Sequence, residues 1–238
     1  TATNVDSGTQ YGPDSEIMVT NDHSVSTIRS GFEDGAAKTY GVNVGGALGG
    51  GIGISFGYAE LTPDRHHFNS SVHVDGTGEI VGKYRKVHLP GHDEFDTERD
   101  FQHLEKRYFE PGDMGFPVYY TLGGVFGMCI CNDRRWPETY RVMGLQDVEL
   151  IILGYNTPTH NPVAPEHDHL TAFHNHLSMQ SGAYQNATWV VGVAKAGKEE
   201  GVEHLGQSSI IAPSGEIVAM ASTMEDELVM ASCNIDLC

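Results

Sequence analysis

The sequence predicts a single domain of the α/β class, in which mixed β-sheets pack with helices. Short apolar runs typical of buried strands alternate with segments of helical periodicity along much of the chain. The 238 residues can form one sizeable core, and apolar segments are spread evenly enough that no second domain is indicated. We therefore treat residues 1–238 as one domain.

The first clear elements form a hairpin. Residues 68–90 contain two extended stretches that are joined by the turn-rich sequence DGTG at 75–78. Further along, the apolar run GVFGMCI at 124–130 has the character of a buried strand. This pattern predicts two paired strands followed by a strand of the core.

A helix and a second buried strand are predicted next. Pro137 is placed for the first turn of a helix over 136–145, and the apolar run VELIILG follows at 148–154. Residues 124–154 therefore predict a strand–helix–strand unit.

The last third predicts one long helix and three strand segments. Residues 169–186 have a helical pattern, carried by Leu170, Phe173, Leu177, Ser181 and Tyr184. The strand segments are 188–194, 208–220 with a turn at 213–215, and 227–235.

The segment 41–57 is dense in glycine and resembles a nucleotide-binding loop only superficially. It contains eight glycines, but Phe56 stands where the G-x-G-x-x-G spacing from Gly51 and Gly53 requires the third glycine. Glycine at this density carries a high ordering entropy. We therefore predict a loose or irregular segment without nucleotide binding.

The net charge of the chain limits the classes of molecule that the protein is expected to bind. Lys and Arg number 14 against 32 Asp and Glu, so the net charge of −18 opposes binding to nucleic acid and to anionic membranes. Small molecules or proteins are the expected partners. The sequence has no apolar run of about 20 residues and no signal segment in its first 30 residues, which predicts a cytoplasmic protein.

The cysteines fall in two close pairs, Cys129 with Cys131 and Cys233 with Cys238. This layout is unlike a secreted disulfide framework and predicts reduced thiols. Cys131 follows a predicted buried strand and precedes a helix, where backbone N–H groups, a helix dipole and nearby arginines favour a reactive thiolate. The alternative is a cysteine that only packs, and Cys129 fits that alternative well.

Four blocks of sequence carry a resemblance to a known family. They are GKYRKVHLPGH at 82–92, FQHLEKRYFEPGDMGFPVY at 101–119, CICNDRRWPE at 129–138, and GYNTPTHNP with HDHLTAFH within 154–174. They closely resemble the N-carbamoyl-D-amino acid amidohydrolases, or D-carbamoylases, of the nitrilase superfamily. The likeness runs from about residue 57 to the C-terminus, while residues 1–57 match poorly.

The resemblance implies a four-layer α-β-β-α sandwich whose N-terminal part is incomplete here and which lacks the C-terminal tail of its relatives. It also implies a Cys–Lys–Glu triad, no metal or other cofactor, and a homo-oligomer. The implied reaction converts an N-carbamoyl-D-amino acid into a D-amino acid, ammonia and carbon dioxide.

By resemblance, Cys131 is the nucleophile, Lys86 is the family lysine, and Glu105 is a second carboxylate that positions the site. From residue pattern alone, a solvated strand face is the favoured interpretation of Lys86, and an exposed Glu–Lys cluster is that of Glu105. The residues that resemble those lining the substrate pocket are His88, His103, Asn132, Arg134, Arg135, Asn156 and Thr157.

The adjacent arginines suit the carboxylate of such a substrate. A guanidinium can bind a carboxylate with two parallel hydrogen bonds, so we expect at least one of Arg134 and Arg135 to bind substrate. The alternative is that one arginine only pairs with Asp133 or Glu138.

The family's general base, a glutamate in a Phe-Pro-Glu type motif, has no match. The nearest placement uses residues 18–27 and puts Asp22 at that position, with a side chain one methylene shorter. A homologue or fragment that binds such ligands without turnover is therefore a second hypothesis. A third is a histidine-based metal hydrolase at 166–176, although His169 and His174 are five residues apart and lack the i, i+4 spacing of a helical zinc pair.

Overall fold

The computed structural model describes residues 15–20, 43–48, 51–98, 102–199 and 201–238, and within them two six-stranded sheets dominate. The strands of the first sheet are β1 (Ser15–Thr20), β2 (Asn43–Leu48), β3 (Gly51–Leu61), β4 (His67–Val74), β5 (Ile80–Arg85) and β14 (Leu228–Cys233). Their spatial order is β14-β1-β2-β3-β4-β5, and every neighbouring pair is antiparallel.

The second sheet has a parallel centre. Its strands are β6 (Val118–Thr121), β7 (Gly124–Ile130), β8 (Leu150–Tyr155), β9 (Trp189–Ala194), β12 (Ser209–Ile211) and β13 (Ile217–Met220). They lie in the order β13-β12-β9-β8-β7-β6, with β7, β8 and β9 parallel. A separate small hairpin joins β10 (Lys198–Glu199) to β11 (Val202–Glu203).

Three α-helices and three short 3₁₀ turns complete the described residues. The helices are α1 (Glu105–Tyr108), α2 (Pro137–Gly144) and α3 (Thr171–Asn186), and the 3₁₀ turns are Cys131–Arg135, Pro165–Leu170 and Ile235–Leu237. In the described part of the chain, no helix is both long and apolar enough to cross a bilayer.

Two apolar layers lie on opposite faces of the second sheet. Along β8, Leu150 and Ile152 pack between the sheets, whereas Ile151 and Leu153 pack with Met143 of α2 and Met179 of α3. A strand that is covered on both faces must be apolar at successive positions, which explains the continuous apolar run. The predicted α/β class with mixed sheets is therefore confirmed.

The predicted local elements are confirmed with small shifts at their ends. β4 and β5 form the hairpin around Asp75–Gly78, and β7, α2 and β8 form the strand–helix–strand unit with parallel strands. The long helix begins at Thr171, because a 3₁₀ turn occupies the residues before it. All four cysteines are free thiols.

The prediction of an irregular glycine-rich segment is wrong. β2 and β3 pair in antiparallel register from Val44↔Ser55 to Leu48↔Gly51. Neighbouring strands on both sides of this pair supply the hydrogen bonds that offset the entropy of ordering glycine. Gly53 is also required by close packing, since a Cβ there would lie 2.8 Å from the ring of His73.

The helical pattern of 169–186 predicted α3 but not its buried face. Phe173, Leu177 and Tyr184 are exposed. The buried residues of the helix are Asn175, Met179, Gly182 and Ala183. Small residues are needed there, because a Cβ on Gly182 would lie 2.6 Å from the Tyr140 ring of α2.

Candidate active site

Cys131 lies where β7 ends and a 3₁₀ turn begins. Its backbone has φ of +48°, in the left-handed region that non-glycine residues avoid at a cost of about 1–3 kcal/mol. Cys131 is partly exposed, whereas Cys129 on the preceding strand is buried. A strained turn that presents a nucleophile at the end of a buried strand is a recurring catalytic device.

Cys129 has the properties of a packing residue. Its side chain is 1% exposed in the apolar layer beneath the helices. Burial raises the pKa of the Cys129 thiol well above its ordinary value, so the thiol stays protonated.

Asp133 ties the turn of Cys131 to the end of β5. The buried carboxylate accepts hydrogen bonds from Ile130 N at 3.0 Å and from His88 N at 2.8 Å. It also accepts from the Tyr84 hydroxyl at 2.8 Å and from His88 Nδ1 at 2.9 Å. These bonds join the segment that follows β5, which contains Lys86, to the turn that follows β7, which contains Cys131, so Asp133 sets how the two segments lie together.

The Tyr84 hydroxyl is a fixed donor in this arrangement. Burial, reinforced by the nearby Asp133 charge, raises the pKa of Tyr84 far above its ordinary value. The hydroxyl therefore keeps its proton for Asp133 while its oxygen accepts from Val87 N at 3.2 Å.

Lys86 forms a buried ion pair with Glu105. The lysine is 1% exposed, and its Nζ lies 2.7 Å from both carboxylate oxygens of Glu105. Asn69 on β4 donates a third hydrogen bond to the same carboxylate at 2.5 Å. The side chain of Lys86 is therefore not on the solvated strand face that its sequence context also allowed.

The backbone on both sides of Lys86 is also fixed. Lys86 N donates to Asn69 O at 2.8 Å, and Gly112 N donates to Lys86 O at 2.8 Å. Gly112 can approach this closely because it has no side chain, since a Cβ there would lie 2.1 Å from Arg85 O. These contacts hold the lysine at the end of β5.

Arg134 is held by neutral groups of the protein. It is 1% exposed and donates to Asn175 Oδ1 at 2.9 Å, to Thr157 Oγ1 at 2.7 Å and to Cys131 O at 2.6 Å. Its guanidinium carbon lies 4.3 Å from the centre of the Tyr155 ring. This cage of neutral acceptors corrects the alternative in which Arg134 pairs with Asp133.

Arg135 differs from Arg134 because its side chain reaches the surface. It is exposed, and partial desolvation together with the adjacent Arg134 charge lowers its pKa. Of the two arginines predicted to bind the substrate, Arg135 is the one with an exposed side chain in this structure.

His88 is fixed by stacking as well as by its bond to Asp133. Its ring stacks on Trp136 with 5.0 Å between centroids and on Phe116 with 5.8 Å. The other ring nitrogen, Nε2, is left for a further partner. Asn132 supports the same segment by donating to His88 O at 3.1 Å.

The remaining predicted site residues take different positions. Thr157 is buried against Arg134, and Asn156 beside it is exposed. The His103 side chain is exposed, yet partial burial of its ring lowers its pKa. Asp22 lies outside the described residues.

Sequence reasoning missed the residues that hold the others in place. They are Asn69, Tyr84, Asp133, Tyr155 and Asn175. Asp133 could have been found from its place two residues after Cys131. Asn175 gave only a weak signal, as an uncharged polar residue within a helix.

The histidines of 166–176 were the basis of the metal hypothesis. Among the described residues, no three His, Cys, Asp or Glu side chains lie close enough together to hold a metal ion. His160 and Asp168 instead form an exposed pair, with 2.6 Å between His160 Nδ1 and Asp168 Oδ2.

Comparisons with known proteins identify the family of this chain. The chain is 32% identical over 203 residues to an N-carbamoylputrescine amidase of Solanum lycopersicum, and the match covers 82% of this chain and 63% of that enzyme. It is 31% identical to a nitrilase of Pyrococcus abyssi, covering 90% of this chain and 70% of the relative. The chain thus spans less than two thirds of the length of the tomato enzyme.

Solved structures share the fold. A carbon-nitrogen hydrolase of Helicobacter pylori superposes with a TM-score of 0.67 at 26% identity, covering 76% of this chain and 61% of that one. An amidase of Nesterenkonia superposes with a TM-score of 0.63 at 19% identity, which shows the fold alone. The family model for carbon-nitrogen hydrolases matches residues 49–238. The chain therefore belongs to the carbon-nitrogen hydrolase family, which is the nitrilase superfamily.

Proposed function

We propose that this protein hydrolyses the carbamoyl group of N-carbamoyl-D-amino acids, with Cys131 as the nucleophile. The observation that carries the proposal is the left-handed turn of Cys131 at the end of β7, which places its sulfur 4.0 Å from Arg134 Nη1. A positive charge at this distance favours the thiolate, which is the reactive form of cysteine.

The reaction is a covalent acyl transfer. The thiolate attacks the ureido carbon, and the carbonyl oxygen becomes an oxyanion. One C–N bond then breaks, its nitrogen leaves with a proton, and water hydrolyses the thioester-like intermediate to a carbamic acid. Loss of carbon dioxide from this acid breaks the second C–N bond and releases the other nitrogen. With one water consumed in total, the products are the D-amino acid, ammonia and carbon dioxide.

Lys86 is suited to stabilise the oxyanion. Its ammonium has three N–H donors, and the two contacts at 2.7 Å to Glu105 leave one of them for a substrate atom. Glu105 fixes the direction of the ammonium and balances its charge in a buried place. Preorganised donors of this kind are among the largest contributions to catalysis.

Arg135 is the main argument for an acidic substrate. Its exposed guanidinium, four residues after Cys131, can bind the α-carboxylate of an N-carbamoyl amino acid. N-carbamoylputrescine, the compound in the name of several relatives, ends in an ammonium that Arg135 would repel. We therefore favour the acid over the amine as substrate.

Two measurements test this choice. Ammonia release should be faster from N-carbamoyl-D-phenylalanine than from N-carbamoylputrescine. The Arg135→Leu variant should raise KM for the acid by at least tenfold and leave KM for its neutral amide analogue nearly unchanged. Faster turnover of the putrescine compound, or an equal effect of Arg135→Leu on acid and amide, would refute the assignment.

Cys131 is tested by substitution. Cys131→Ala should abolish ammonia release while the melting temperature stays close to that of the wild type. Cys238→Ala is the matched control, because this thiol is free and exposed. Turnover that survives in Cys131→Ala would rule out the proposed nucleophile.

A binding protein without turnover is the second candidate. Two observations support this candidate: the family glutamate has no match, and Asp22, its nearest substitute, has a shorter side chain. Binding of N-carbamoyl-D-phenylalanine in calorimetry, without ammonia release and without a covalent adduct on Cys131, would select this candidate.

We also propose that the chain forms a homo-oligomer through α3. This helix contains no Asp, Glu, Lys or Arg, although the molecule carries a net charge of −18, and it exposes Phe173, Leu177 and Tyr184. An uncharged apolar face is where two such acidic copies can meet with least repulsion. Light scattering should show a smaller mass for Phe173→Glu than for the unmodified chain.

A further inference from the structure

We propose that Asn175, on α3, is a positioning residue for Cys131 that acts through the guanidinium of Arg134. The inference rests on the proposed function in one respect, namely that Cys131 is the nucleophile. It concerns a helix residue 44 positions further along the chain, outside the sequence blocks that marked the site.

The oxygen and the nitrogen of the Asn175 amide both form hydrogen bonds. Its oxygen accepts from Arg134 Nε at 2.9 Å, and its nitrogen donates to the Tyr155 hydroxyl at 3.0 Å. Because a guanidinium can only donate, the amide oxygen must face Arg134. The orientation of Asn175 is therefore fixed, and it fixes the guanidinium in turn.

Tyr155 closes the cage around Arg134. Its ring lies under the guanidinium, with 4.3 Å from the guanidinium carbon to the ring centre, while its hydroxyl holds Asn175. Burial raises the pKa of Tyr155, so the hydroxyl stays neutral beside the arginine. Asn175 thus contacts the edge of the planar guanidinium of Arg134, and Tyr155 packs against its face.

The held guanidinium acts on Cys131 in two ways. Nη1 donates to Cys131 O at 2.6 Å, which supports the left-handed backbone of the turn. The same nitrogen lies 4.0 Å from Cys131 Sγ, where its charge favours the thiolate. A small rotation of the guanidinium would weaken both contacts together.

A neutral partner is essential to this arrangement. The acceptors of Arg134 are an amide, a hydroxyl and a backbone carbonyl, so none of them cancels its charge. The other charged groups of the described part at this site are Arg135, the buried carboxylate of Asp133 and the Lys86–Glu105 pair, while Cys129 stays protonated. A carboxylate at position 175 would change this balance without changing the shape of the side chain.

The position of Asn175 also calls for an explanation. It is 1% exposed on a helix face whose other buried residues are Met179, Gly182 and Ala183. An amide in such a place destabilises a protein unless both of its ends are hydrogen-bonded. Here both ends are bonded, and both bonds lead to the cage around Arg134.

The test compares Asn175→Asp with the unmodified chain by iodoacetamide alkylation of Cys131, followed by mass spectrometry. We expect alkylation at pH 7 to slow by about tenfold, and the midpoint of its pH profile to move to higher pH. In ammonia release, kcat should fall while KM for N-carbamoyl-D-phenylalanine changes less than twofold. Ser178→Ala is the matched control, because its hydroxyl bonds only carbonyls of its own helix.

A second variant guards against an effect of folding. Asn175→Ala removes the amide without adding charge, and it should lower kcat while moving the alkylation midpoint less than Asn175→Asp does. Melting curves identify which variants are folded. A folded variant of either kind with an unchanged alkylation profile overturns the proposal. A rise in KM for the acid that spares the neutral amide also overturns it, because Arg134 would then act on the substrate.

Alkylation does not depend on turnover, so it separates this inference from the proposed function. If Cys131→Ala still releases ammonia, the proposed nucleophile is wrong. If Cys131 is the nucleophile and Asn175→Asp leaves its alkylation unchanged, only the role of Asn175 is wrong.

Discussion

Replacing Glu105 with glutamine should destabilise the fold through the charge that it leaves behind on Lys86. The Nζ of Lys86 is bonded to both oxygens of Glu105 at 2.7 Å, and the lysine is 1% exposed. Glutamine keeps the shape and one acceptor oxygen but removes the negative charge. Lys86 would then be a buried cation without a counterion.

The size of the effect follows from this burial. Removing one partner of a buried ion pair costs about 3–5 kcal/mol, because the remaining charge stays desolvated. The side chain of Glu105 is 18% exposed, so water reaches part of the pair. We therefore expect the lower end of this range, about 3 kcal/mol of the free energy of unfolding.

Urea unfolding measures the loss, with Asp113→Asn as the matched control. Arg85 contacts Asp113 at 2.9 Å, but the Asp113 side chain is 62% exposed, so its removal should cost less than about 1 kcal/mol. The double variant Lys86→Met with Glu105→Gln should lose less stability than the two single losses added together. If Glu105→Gln costs no more than Asp113→Asn, Lys86 is not a buried charge and its proposed role at the oxyanion fails.

Three further predictions concern pH, the turn of the nucleophile and the general base. His73 is 3% exposed, its Nδ1 lies 2.7 Å from Ser55 Oγ, and burial lowers its pKa below the ordinary 6.5. Because the unfolded chain takes up a proton at a higher pH than the folded protein does, stability should fall as pH drops below about 6.5. Urea midpoints at pH 7 and pH 5 should therefore differ less in His73→Gln than in the unmodified chain, and an equal difference would exclude His73 as the source of the pH dependence. Asp133→Ala should lower the free energy of unfolding in urea by at least about 3 kcal/mol, because Ile130 N and His88 N lose their acceptor. A loss below about 1 kcal/mol would contradict the proposal that Asp133 holds the two segments together. Asp22→Glu should raise ammonia release if position 22 carries the general base, and unchanged release would remove Asp22 from the mechanism.

Local signals in the sequence were sufficient where a few neighbouring residues decide the structure. The turn at Asp75–Gly78 defines its hairpin, since Asp75 Oδ1 accepts from Thr77 N and Glu79 N. Pro137 marks the first turn of α2. The pairing of β2 with β3 was missed, because it depends on strands from distant parts of the chain and not on the composition of the segment.

The site was predictable by residue type and resemblance, but not by contact. Strand periodicity could not decide whether Lys86 faces water, because its burial depends on Glu105, 19 residues away. The role of Arg134 was missed for a similar reason, since its acceptor Asn175 is 41 residues further along. The buried face of α3 was misread because close approach to α2 favours small residues such as Gly182.

The two halves of the proposed catalytic centre come from different sheets. Lys86 follows β5 of the first sheet and Cys131 follows β7 of the second, and the carboxylate of Asp133 spans the gap. Any sliding of one sheet over the other would alter the separation of sulfur and ammonium directly. The turnover rate should therefore depend strongly on how the two sheets align. Substitutions of Phe126, in the layer between the sheets, should change the turnover rate even where they leave the melting temperature unchanged.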